Sequence, residues 1–158
     1  MRSLVLVAVV CVVAAGCGSS SSTPSADPGP VAVTIVQRIT HNDYTHVWDE
    51  LLSTDRHVAP RKEYVACESS HPVGVVPRGL KVLRVRDESV GLGNGEFVPS
   101  KAVDVRITFG GGLTITHTVH LVAESGKWRF ILPPWRYRDY KADKCPTDAA
   151  SAPPPSQS

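Results

Sequence analysis

The sequence predicts an α+β domain in which N-terminal helices pack on a curved antiparallel sheet. Three observations lead there. Tyr44, Val47, Trp48, Leu51 and Leu52 recur at i, i+3, i+4, i+7 and i+8, a complete apolar stripe along a helix. After Gly79 the period falls to two: Val103, Val105, Ile107 and Phe109 alternate with Ala102, Asp104, Arg106 and Thr108, as on a half-buried strand. The chain of 158 residues suits one domain, and helices followed by a run of strands is the α+β order.

The chain opens on a leader. Arg2 supplies a single positive charge, residues 3–15 carry none, and Ala14, Ala15 and Gly16 are small residues ahead of Cys17, the order of a secretory signal. This apolar run falls short of the roughly 20 residues that cross a bilayer. Gly18 and a run of serines follow it, with no basic stop-transfer cluster. Ala14-Ala15-Gly16-Cys17 resembles the lipobox of bacterial lipoproteins, with Ala where Leu is commonest. The resemblance implies cleavage after residue 16 and acyl chains on Cys17, where two chains anchor stably and one is marginal. Cys11 follows Val10, does not fit the motif, and would leave with the signal. The plainer alternative is a soluble secreted protein, but a free N-terminal thiol in an oxidising compartment is a liability.

Residues 1–16 are therefore expected as signal peptide and 17–30 as lipidated cysteine plus flexible Ser/Pro tether. The folded unit is expected over 31–145, with 146–158 (PTDAASAPPPSQS) as a low-complexity tail. Within the folded unit Cys67 and Cys145 form an even pair far apart in sequence, which in an exported protein reads as a disulfide. A redox pair would want Cys-x-x-Cys spacing, which is absent.

Taken in order, VAVTIVQRIT (31–40) is ambiguous: Ala32, Ile35, Val36 and Ile39 suit a helix, while the β-branched content suits a strand. The stripe from Tyr44 to Leu52 follows, with Asn42 or Asp43 as its cap. Pro60 opens another helix through Arg61, Tyr64, Val65 and Glu68, ending near His71-Pro72. Strands are expected over 80–90, 103–109, 113–124 and 127–132, with turns at Gly110 to Gly112 and at Ser125-Gly126. The interleaved aromatic and basic segment Trp135-Arg-Tyr-Arg-Asp-Tyr140 reads as a strand leading to Cys145, or as a surface for a headgroup or a cell-wall glycan.

The Tyr44/Trp48/Leu51 helix, the Arg61/Tyr64 helix and long strands ending Gly126-Lys-Trp-Arg-Phe130 together resemble the cone-shaped nuclear transport factor 2-like superfamily, and more narrowly small actinobacterial lipoproteins. The resemblance covers residues 31–132 and implies that 31–40 is helical. It also implies an open cone able to hold a small apolar ligand, in a superfamily of isomerases, dehydratases, transport-receptor modules and proteins of unknown role.

Which residues could line such a cone? Tyr44, Trp48 and Trp128 are the aromatic candidates, and His117 is the one titratable group on the apolar face of Leu113, Ile115, Val119 and Leu121. A general base needs a partner that positions it, and the sequence places none opposite His117, so no catalytic residue is assigned. His117 and His120 project to opposite faces of a strand and cannot share a metal ion. No phosphate loop, nucleophile elbow or other cofactor motif occurs, and neither metal nor cofactor is expected. A net charge of +2, without a block of like charges, gives no nucleic-acid footprint.

The expected role is thus a non-enzymatic module on the outer face of the cytoplasmic membrane. Its partners would be membrane lipid through Cys17 and either a small apolar ligand or a protein. The alternatives are a cone-site isomerase or dehydratase with His117 as base, and an accessory subunit docking its sheet on a membrane complex.

Overall fold

A computed structural model describes residues 24–147. The expected signal peptide, Cys17 and the tail beyond Thr147 lie outside the described residues. The domain is α+β, with five helices and an open four-stranded antiparallel sheet.

Helix α1, Pro28–Thr40, begins inside the segment expected as tether. Asp27 caps it, accepting a hydrogen bond from the Gly29 amide at 2.9 Å, and Pro28 occupies the first helical turn, where its missing N–H costs nothing. Its buried residues Ala32, Ile35 and Val36 follow helical spacing, so packing settles what the β-branched composition left open.

Helix α2 is Tyr44–Glu50, α3 is Ser53–Val58 and α4 is Arg61–Ser69. The stripe read as one helix through Leu52 stops at Glu50. Leu51 turns extended (φ −64°, ψ 150°) and bridges Phe130 in parallel, and the Leu52 amide donates to the Phe130 carbonyl at 2.8 Å. Leu51 thereby satisfies a sheet edge, an outcome helical periodicity cannot anticipate. Asp43 precedes α2 without capping it; its carboxylate binds His46 Nδ1 at 2.7 Å. Asn42, in the left-handed region at φ 59°, instead accepts from the Val73 amide and the Tyr44 hydroxyl.

The strands are β1 Gly79–Gly91, β2 Phe97–Thr108, β3 Thr114–Glu124 and β4 Lys127–Phe130, in the order β1-β2-β3-β4. Ser125 and Gly126 take positive φ (50° and 74°) in the tight turn between β3 and β4, the handedness that matches strand twist. Val103 faces Val119, Val105 faces His117 and Ile107 faces Ile115 across β2 and β3. This face packs on α1: Val103, Val105, Ile107, Val119 and Leu121 join Ala32, Ile35, Val36 and Trp128 in one buried cluster.

The apolar face expected along all of 113–121 is buried only toward its Val119–Leu121 end. Leu113 is 63% and Ile115 46% exposed, because α1 does not extend over the start of β3.

Helix α5, Pro134–Lys141, corrects the expected strand at 135–140. Pro134 starts a helix as readily as Pro28 does, and Tyr137 and Tyr140, three apart, share its buried side. They close a second cluster with Tyr44, Val47, Leu51, Tyr64 and Leu132. A third, smaller cluster joins Leu52, Leu92, Val122 and Ile131 beneath the β1–β2 loop.

Candidate functional site

Beside β3 lies a groove of about 390 Å³, walled by Phe130, Ile131, Pro133 and Pro134, by Val90 and Gly91, and by His117, Thr118 and His120. It exists because β4 is short: the chain leaves the sheet after Phe130 and starts α5 at Pro134, so most of β3 has no neighbour on that side. The lining is mostly apolar, with two imidazoles as its titratable groups.

His117 shares the face of Val119 and Leu121, as its spacing requires, but sits where that face is exposed. Surrounding protein still disfavours its cation, and nearby His120 adds to this, so its pKa lies below the usual imidazole value. Among the described residues no carboxylate pairs with His117. Glu88 Oε1 lies 3.5 Å from Nε2 of His120 on the opposite face. Glu88 therefore does not supply the positioning partner that a base at His117 requires.

The other cavity candidates lie apart. Tyr44 is buried in the second cluster with its hydroxyl on Asn42 Oδ1 at 2.9 Å. Trp48 donates from Nε1 to the Ala59 carbonyl at 2.7 Å and is flanked by Arg56 and Arg61, each guanidinium 5.6 Å from the ring centre. Trp128 donates to the Ala26 carbonyl at 2.8 Å, stitching the start of α1 to β4. All three indoles and phenols are committed to the fold, and none of them lines the groove with His117.

Cys67 and Cys145 form a disulfide with a Cα–Cα distance of 5.3 Å, tying α4 to the end of the described chain. A second cavity, of about 380 Å³, lies against it, lined among others by Val58, Pro60, Tyr140 and Lys144. Beneath it the buried Glu68 receives the Tyr140 hydroxyl at 2.7 Å and Arg136 Nη2 at 2.9 Å. Burial, and Glu68 as acceptor, hold the Tyr140 hydroxyl far above its ordinary pKa.

Three buried carboxylates went unread in the sequence. Glu68 had a signal: it follows Cys67, and the disulfide to Cys145 draws the chain that carries Tyr140 toward it. Asp104 on β2 is held by Arg86 at 2.8 Å, Thr118 at 2.8 Å and Arg84 at 3.0 Å, which together pull its pKa down to about 2. Strand alternation had assigned it to solvent, and its cross-strand neighbours bury it instead. Asp55, in α3, accepts from the Leu132 amide at 2.7 Å. Its burial raises the pKa to about 6, the amide hydrogen bond opposing and the charge of Glu124 adding to the rise. No pattern in residues 53–58 foretold this. Among the described residues no cluster of His, Cys, Asp and Glu is arranged to hold a metal ion, and no described helix is long and apolar enough to cross a membrane.

No protein-family model matches the chain, and a search of curated proteins finds no match to it.

Proposed function

We propose that the chain is a non-enzymatic binding module of the nuclear transport factor 2-like kind, carried on the outer face of the cytoplasmic membrane by acyl chains on Cys17. Its β3 groove takes a small apolar ligand. The observation that carries the reading is the groove itself: apolar walls from Val90, Phe130, Ile131 and Pro133, an imidazole at the rim, and a volume of about 390 Å³, within the range of small-molecule sites. The lipobox-like Ala14-Ala15-Gly16-Cys17 supports the anchorage. From Cys17 to the Asp27 cap the chain spans at most about 35 Å, so the domain would ride close to the headgroups.

Native mass spectrometry of the protein purified from its own membranes tests both halves. The expected species begins at Cys17, carries acyl chains, and retains an apolar small molecule that a His117→Trp variant, with the groove filled, does not. A ligand held equally by that variant refutes the groove. A Cys17→Ser chain that still pellets with membranes, with an N-terminal mass that differs from the parent only by sulfur replaced by oxygen, refutes the anchor.

A further inference from the structure

β3 outlasts the strand that follows it. β4 pairs only with residues 121–124, and among the described residues no main-chain hydrogen bond reaches the outer side of 114–120. An open strand edge is a template for another strand, and proteins usually blunt such edges with charge, proline or a bulge.

The other edges of this sheet are blunted. β1 carries Lys81, Arg84, Arg86, Asp87 and Glu88 along its length and is bulged between Val82 and Arg84. The outer side of β4 is met by Leu51 at Phe130. The stretch Thr114-Ile-Thr-His-Thr-Val-His120 has none of these protections: no Lys, Arg, Asp, Glu, Pro or Gly, and mostly β-branched residues. Leu113 and Ile115 are exposed there, at 63% and 46%.

The same stretch complements itself. β4 blocks pairing beyond His120 and the Gly110–Gly112 turn ends it at the other side, so the free edge is centred on His117. Two such edges meeting antiparallel about a two-fold axis at His117 set Ile115 opposite Val119, Thr116 opposite Thr118, and Thr114 opposite His120. Ile115 meets Val119 on one face with His117 opposite His117 on the axis, and threonine meets threonine or His120 on the other, so each residue finds a compatible partner, as an isologous interface requires.

We propose that β3 pairs with β3 of a second copy of this chain, joining the two sheets into one across a two-fold axis at His117. The partner strand then lies along the edge that carries His117, Thr118 and His120, so it competes with a ligand for the groove, and the pairing does not rest on the functional reading above.

Sedimentation equilibrium of the detergent-solubilised full chain over a concentration series tests it. A reversible dimer is expected, and Ile115→Lys and Thr116→Lys, both at exposed positions, each weaken it by roughly tenfold or more by bringing charge to the ribbon. Both variants should keep the parent's circular-dichroism spectrum, which shows that they still fold. A His117→Cys chain should oxidise to a dimer whose cross-linked peptides join position 117 to itself, while Lys81→Cys, on the other edge, should not. A chain that stays monomeric up to about 100 µM overturns the proposal. So does a dimer that both Lys variants leave intact, or a cross-link through position 81 in place of 117.

Discussion

Asp55 shows how much one buried side chain can oppose the fold that contains it. Its carboxyl is 1% exposed and accepts one hydrogen bond, from Leu132. Burial raises its pKa from 3.8 to about 6. Between those values the folded chain holds a proton that the unfolded chain has released, so stability falls as pH rises through this window and stays low above it. Asp55→Asn keeps an acceptor for Leu132 and removes the charge. It should therefore stabilise the protein by about 2 to 3 kcal/mol at pH 7.5 and by little at pH 4, read from urea unfolding at both values. An equal gain at both would show that burial of the charge is not the cause. Asp104 has the opposite balance: its arginine and threonine partners favour the ion, and the stability it adds is present above pH 3.8 and lost as pH falls toward 2. Neither carboxylate was legible in the sequence, because a carboxylate's environment is made by residues far away in the chain.

At the scale of the element, α5 and the β1–β2 loop depend on one another. A Cβ placed on Gly93 would stand 2.0 Å from Cγ and 2.2 Å from Cβ of Tyr137, closer than any real contact. Gly93→Ala should cost about 1 to 3 kcal/mol by overpacking, because Tyr137 is buried on α5 and cannot swing clear. Tyr137→Gly in the same chain removes both the Cβ and the Cγ that clash, so the double variant should lose less than the two single losses added together, in denaturant unfolding. Strict additivity would mean that the loop and helix do not press on each other. The elements with clean periodicity were readable: the strand of alternating valines, the tyrosine–tryptophan helix and the turns at glycine. The break at Leu51 and the helix at 134–141 were not. Leu51 leaves its helix to reach Phe130, and Tyr137 and Tyr140 turn inward because α4 offers Tyr64 and Glu68 to cover.

Over the whole molecule, the disulfide locks the second cluster. It joins α4 to the residues after α5, with Glu68, Arg136 and Tyr140 bonded beside it. Replacing both cysteines by alanine should lower stability by roughly 4 kcal/mol on the chain-entropy account. Hydrogen exchange should then rise first in α5, whose remaining ties include the Glu68 bonds and two buried tyrosines. Exchange rising evenly through the sheet would instead mean that α5 and the sheet open as one unit. The first cluster, between α1 and the sheet, has no covalent tie and rests on apolar burial.

By itself the sequence determined the α+β order, the positions of most strands and turns, and the cysteine pair, because periodicity and cysteine parity are properties that neighbouring residues carry with them. Only the tertiary structure decided which faces are covered. It buried Asp55, Glu68 and Asp104, committed Tyr44, Trp48 and Trp128 to the fold, left Ile115 and His117 exposed, and kept the outer side of β3 bare. Burial and pairing depend on what the distant chain brings alongside, and no local pattern records that.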